Sequence, residues 1–465
     1  MKNITLGLLI VSLMATSCDD RLDVKPHQSI DQTTALSTEK DVVVTLIGAY
    51  DGLQEEGTYG GDFMTISELM GNTDDILFTG TFDGLSDIFK LQTVATNENA
   101  LRTWRYAYAT INRANNVLSA VDKVTSSEEE RARVEGEARF IRASMYFELV
   151  RFYAKTWDDG DNAANAGVPL VLEPTTEVTS EDYRARNSVA EVYEQIMTDL
   201  TIAEDLLPKS NGIFANKTAA AAVISRVKLT QGVNGATADQ KTALGEARDA
   251  ANRAIDYGTS ELEEDFESLW YTYIDNGGEN PSEYIFSMKV TPQDGYNAIN
   301  QYFGVATDIE GTNGRADCKI TNSHLTKYED GDVRGEFFVV VGGRNYTQKH
   351  LDNYGNVLVV RLAEMYLTRA EANFRLGTDV GADPVDDLNV IRERAGLDPV
   401  GSISNVSAIL NERYLELAFE GSHLHDAKRT RGAVSGVAWN DERLILPIPQ
   451  RERDTNENLV QNDGY

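Results

Sequence analysis

Two histidines flanking a leucine, His423-Leu424-His425, run straight into Asp426. Imidazole nitrogens and a carboxylate are good ligands for a transition metal. Two positions apart, however, the rings leave a helix on different sides and do not close on one ion, so a structural or surface role is expected. Asp158, Asp159, Asp161 and Asn162 offer oxygens of the calcium type. They lack the spacing and closing Glu of an EF-hand loop. Glycosidic cleavage needs two positioned carboxylates. The 74 acidic residues supply many, and no spacing singles out a pair. The sequence contains no G-x-S-x-G elbow, phosphate-binding loop, H-E-x-x-H or paired C-x-x-C. No catalytic residue, metal ligand or cofactor is expected.

Charge narrows the partners. With 43 basic and 74 acidic residues the net charge is −31. Such a surface repels phosphate backbones, which argues against nucleic acid, and it repels anionic lipid headgroups as well. The N-terminus reads as an export signal. Lys2 precedes an apolar stretch, Ile4 to Met14, then small residues Ala15 to Ser17, then Cys18. That pattern resembles a bacterial lipobox, so residues 1–17 are expected to be a signal peptide and Cys18 a lipidated anchor. Several acyl chains on one residue hold a membrane where one would not. Residues 18–37 then read as a polar tether. Asp19 and Asp20 look like the acidic signals that send some bacterial lipoproteins to the cell surface. With Cys18 lipidated, Cys318 has no intramolecular partner and the fold has no disulfide.

The scaffold is predicted to be helical. Ser188 and Glu191 form a capping box ahead of a stripe through Val192, Tyr193, Ile196, Leu200 and Ala203, and Pro208 ends it. Ser126 and Glu129 read as a second box, ahead of Val134, Ala138, Ile141, Met145, Leu149 and Phe152. Phe140, Tyr146 and Phe147 add a second apolar face to that helix, so it must pack between neighbours. The helices fall into pairs, with 104–121 beside 128–153, 189–207 beside 218–231, and 386–394 beside 406–419. The helix 241–257 has its mate only at 361–376. Small residues near large aromatics suggest degenerate tetratricopeptide-like stacking. Between that last pair lies an insert, 258–360, rich in Gly, Asn, Asp and Tyr. Within it EYIFSMKV (Glu283 to Val290) and EFFVVVG (Glu336 to Gly342) read as strands.

Particular strings make the chain resemble the SusD/RagB family of outer-membrane nutrient-binding lipoproteins. These are LDVKP after Cys18, WRYAYATINRANNVL (Trp104 to Leu118), EARFIRASMYFELVRFYA (Glu137 to Ala154) and GVPLV (Gly167 to Val171). The most specific are RLAEMYLTRAEANFRLG from Arg361, LNVIRERAGL from Leu388, NERYLELAFEG from Asn411 and the closing LILPIPQRERDTNENLVQNDGY from Leu444. The chain departs from the family at EGSHLHDA, where His423 stands at a usual Arg and Ala427 at a usual Leu. The resemblance implies a mainly α fold. About four tetratricopeptide-like helix pairs would form a scaffold, packed against an irregular, loop-rich ligand-binding region with a few short strands. Residues 38–465 would be one domain. It also implies an oligosaccharide ligand, a SusC-like TonB-dependent transporter as partner, and a lipid-anchored position on the cell surface.

Oligosaccharides are held by aromatic faces and planar polar groups on preformed loops. Two stretches outside the helical stripes fit. Asn72 to Phe89 offers Asn72, Asp75, Phe78 and Phe82, and its Gly and Thr argue against a helix there. Gln293 to Asn313 offers Tyr296, Asn297, Tyr302 and Phe303. Trp270 and Trp104 read as core, and Trp439 stays open. A peptide ligand on the same fold, a secreted glycoside hydrolase and a protein-binding scaffold are the competing readings. Pro447 and Pro449 force an extended tail, and Gly464 suits a turn that docks Tyr465.

Overall fold

The computed structural model describes residues 36–176 and 179–465. The signal peptide, the lipidated Cys18 and most of the tether, as predicted from sequence, lie outside the described residues.

Helix α1 (Glu39–Gln54) opens on a reciprocal cap between Thr38 and Asp41. α2 (Asp62–Met70) is buried along its whole length. Strand β1 (Ile76–Phe78) and the short α3 (Asp83–Phe89) lead into α4 (Glu98–Ser119) and α5 (Glu128–Tyr153). α6 (Val189–Leu206), α7 (Lys217–Gly232) and α8 (Ala238–Asp256) follow. Within the insert come β2 (Tyr284–Met288), α9 (Ala298–Phe303), β3 (Cys318–Ile320), α10 (Asn322–Leu325), α11 (Val333–Glu336), β4 (Phe338–Val341), β5 (Arg344–Thr347) and β6 (Val357–Arg361). The scaffold resumes with α12 (Leu362–Leu376), α13 (Pro384–Arg394), α14 (Ser407–Glu416), α15 (His423–Arg429) and α16 (Gln450–Thr455).

The helices stack in sequence: α1 on α4, α4 on α5, α5 on α6, α6 on α7, α7 on α8, α8 on α12 and α12 on α13. α5 carries the two apolar faces that this position needs. Val134, Ile141, Phe140 and Phe147 are all buried between its neighbours. Its cap sits one residue later than the sequence suggested, with Ser127 accepting the Glu130 N–H. α8 does not wait for α12 alone, since it packs extensively on its chain neighbour α7. Its small residues Ala243, Ala247, Ala250 and Ala254 permit the close approach.

The insert is loop-rich, and its few short strands pair into two small sheets. β2 pairs with β6 through a bulged antiparallel ladder. β3, β5 and β4 form an antiparallel sheet, and β1 closes its edge by pairing Ile76 with Ile320 and Phe78 with Cys318. A chain segment far upstream of the insert, Ile76–Phe78, is thereby built into it. Phe266, Trp270, Tyr284, Phe337, Tyr346 and Leu351 make a small separate core beneath this sheet. Trp270 is buried there, in line with the sequence reading. Cys318 is a buried free thiol.

A buried ion cluster ties sheet to scaffold. Arg361, at the end of β6, reaches Glu283, Glu416 and Glu420, and all four side chains lie out of solvent. The tail is ordered but not wholly extended, because α16 interrupts it. Leu446 N–H donates to Phe152 O at 2.7 Å and Gln450 N–H to Ala95 O at 2.8 Å. Asn462 Nδ2 donates to Tyr153 O and Leu446 O. Gly464 takes φ +88°, a conformation glycine adopts freely, and the Tyr465 hydroxyl then reaches Ile445 O at 2.6 Å.

Candidate functional site

The β1–β3 pairing brings the two candidate stretches together. α3 follows β1, and Phe82 is its N-cap residue, with its ring 41% exposed. The edge of Phe82 meets Tyr302 of α9 at 5.7 Å between centroids, nearly perpendicular. The Arg315 guanidinium covers one face of Phe82 at 4.4 Å. The helix α3 was not expected from Gly84 and Thr81. Gly84 fits because the Asn99 side chain lies where a Cβ would project.

Tyr302 is itself buried, and it donates its hydroxyl to Glu56 at 2.6 Å. Burial, and then the Glu56 carboxylate, push this phenol well above its ordinary value. Glu56 belongs to the turn after α1, which is folded tightly because Gly60 lies against the Gln54 carbonyl. A Cβ at Gly60 would stand 1.8 Å from that oxygen. This turn forms one wall of an open cleft of about 370 Å³. Tyr296, Asn297 and Gln301 form the other wall. Tyr296 is 44% exposed, and its ring lies 5.3 Å from Tyr354, which lies 5.1 Å from Tyr273. Three tyrosines thus form a row that starts from Tyr296 in the cleft wall. Asn297 holds the loop in place, because its side chain caps α9 at Asn300 N–H and donates to Gly355 O.

The cleft is acidic. Asp51, Glu55, Glu56 and Asp294 line it. Burial, reinforced by the Asp51 charge, raises the Glu55 carboxyl above its ordinary value. The cations nearby are committed. Arg102 pairs with Glu56 and Asp62, Arg113 with Asp51, and Arg315 with Asp317.

The remaining predicted residues sit elsewhere. Asn72 is a turn organiser, its Oδ1 accepting from Asp75 and Ile76 N–H. Asp75 is buried and accepts hydrogen bonds from Thr73, His324, Lys327 and Tyr414. Burial opposes its ionisation, but these donors overcome that and hold the carboxyl well below the usual range. Phe78 and Phe303 are buried in the main core, Phe78 beside Phe89 and Phe303 beside His350 and Phe419. The residues not expected from sequence are Gln54, Glu55 and Glu56. The Gly-rich string QEEGTYGG that ends α1 was the available sign of a loop there.

His423 and His425 do not converge. His423 lies against Tyr414, with Nδ1 3.8 Å from Asp75, whereas His425 packs on Phe152. Asp158 is engaged by Gln240 and Arg431. Among the described residues no group of three His, Cys, Asp or Glu side chains is placed to hold a metal.

A family model described as "Starch-binding associating with outer membrane" matches residues 20–229, and the "SusD family" model matches residues 266–465. The chain belongs to the SusD/RagB family. Within it, SusD-like protein P2 of Formosa agariphila is 25% identical across 100% of both chains. The starch-binding protein SusD of Bacteroides thetaiotaomicron is 31% identical over 123 residues, 24% of this chain and 22% of that one. A putative sugar binding protein from Bacteroides vulgatus, known by crystal structure, is 27% identical. It superposes with a TM-score of 0.77 over 93% of this chain and 100% of its own. The mainly helical scaffold with few short strands is that of the SusD superfamily.

Proposed function

We propose that this protein is a cell-surface lipoprotein that captures oligosaccharide and hands it to a SusC-like TonB-dependent transporter of the outer membrane. Cys18 would carry the lipid anchor. The observation that supports this best is the exposed Tyr296 in the cleft with Gln54 and Glu56, together with the exposed Phe82 packed on Tyr302, whose hydroxyl bonds Glu56. Their rings suit the C–H faces of sugars, and Gln54 and Gln301 supply planar groups for hydroxyls, on a loop that Asn297 holds. The acid residues of the cleft favour a neutral sugar chain over an acidic one. Capture and release breaks no bond, and the relatives carry names of binding proteins.

Calorimetry and affinity electrophoresis with a panel of neutral polysaccharides and peptides would test the reading. Binding of a polysaccharide, recovered intact after incubation, supports it. Binding of peptides alone would replace the ligand class, and cleavage by protein of verified purity would replace capture with catalysis.

A further inference from the structure

A second cavity, about 550 Å³, runs along the outer face of α4. One wall is α4, with Trp104, Arg105, Tyr106 and Tyr108, and the opposite wall carries Tyr183 and Asn456. Four aromatic side chains converge here. Tyr106 and Tyr183 are 37% and 39% exposed. Trp104 is 4% exposed, packed by Tyr108 and Tyr153. Trp104 lines the cavity, and its indole N–H has no acceptor among the described residues. The Arg105 guanidinium has no partner among the described residues either. The far wall is fixed by the tail, since Asn456 Nδ2 donates to Arg184 O at 2.8 Å and Asn458 Nδ2 to Tyr183 O at 2.6 Å. Tyr108 is held by its hydroxyl to Pro169 O at 2.8 Å.

This groove is separate from the Tyr296 cleft, and α4 lines the groove but not the cleft. Arg102 faces the cleft through Glu56, and Tyr106 rests on Gly57, where an added Cβ would come within 2.7 Å of its ring. The groove and the cleft are therefore linked through the contacts of α4 with the turn that walls the cleft.

We propose that the α4 groove is a second saccharide subsite. Its occupant is a further stretch of neutral sugar chain, with ring faces on Tyr106 and Tyr183 and hydroxyls on the Trp104 indole and Arg105. The proposal rests on the saccharide-capture reading. Two subsites on one rigid body convert the second contact into an intramolecular one, so polymer gains over short oligomer.

The test uses the mature protein with maltohexaose, laminarihexaose and cellohexaose, and with the matching glucans. Wild type should bind two hexasaccharides of the accepted type. Arg105→Ala with Tyr183→Ala, both at exposed positions, should leave one, and so should Phe82→Ala with Tyr296→Ala. Either pair should weaken glucan binding at least tenfold. In the Phe82/Tyr296 variant, hexasaccharide should still shift tryptophan emission, and adding Trp104→Phe should abolish that shift. One hexasaccharide per wild-type molecule, lost only with Phe82 and Tyr296, overturns the second subsite while leaving the capture reading intact. Wild type that binds no member of the panel overturns both.

Discussion

Phe82 and Tyr296 present rings to solvent while their neighbours are locked, so each is a clean probe of recognition. Replacing either with Ala should weaken saccharide binding about tenfold, ~1.4 kcal/mol. The melting temperature should stay unchanged, and a fall in it would mark the ring as a structural support. Phe78 and Phe303 are the contrast, and their loss should register as instability. Glu68 offers a different test at the same scale. It is buried, and burial pushes its carboxyl up to about 8 although Gly421 N–H donates to it. The folded value lies above the ordinary 4.5. Its stabilising contribution is therefore complete below about pH 4.5 and fades as the pH rises toward about 8. Glu68→Gln keeps an acceptor and removes the titration. In denaturant unfolding, the variant should gain on wild type between about pH 5 and pH 8; parallel behaviour would refute the assignment.

Single elements depend on a few buried polar joints. Arg361 joins β6 to Glu283, Glu416 and Glu420. Arg361→Ala takes one cation from three buried carboxylates, which keep Arg394, Arg334 and Lys349 as partners, and should cost about 3 kcal/mol in unfolding free energy. A loss under 1 kcal/mol would show that the cluster relaxes or takes up protons instead. The helices themselves were legible, because a stripe such as Val192, Tyr193, Ile196 and Leu200 admits little else. The predicted strand at Glu283 to Val290 also stands, as β2. The misses share a cause. The pairing of β1 with β3 joins residues 76–78 to residues far along the chain, and α3 depends on Gly84 meeting Asn99 of the next helix; no apolar spacing records either contact. Likewise Tyr296 and Phe82 could be chosen as exposed rings among amides, but Glu56 could not be placed beside Tyr302 without the fold. Trp104 was legible as core through Tyr108 and Ile111, whereas its open indole edge was not.

At the scale of the molecule, charge governs what approaches. The net charge of −31 and the paired cations around the cleft work against acidic polymers. A uronate-containing oligosaccharide should bind at least tenfold more weakly than its neutral counterpart. Added salt should narrow the gap through screening. Equal affinity at low salt would remove charge from the specificity argument. The stitched tail carries a further consequence, for assembly in time. Asn462 bonds Tyr153 across 309 positions of chain, and Gln450 and Leu446 close on Ala95 and Phe152. Contacts of such sequence separation form slowly, after local helices. While the polypeptide emerges and is exported, the early helices wait with that edge uncovered and prone to misassociation. A chain cut short near residue 445 would stay in this unfinished state and be open to proteases. The same tail that holds the far wall of the α4 groove thus acts as the latch that closes the fold.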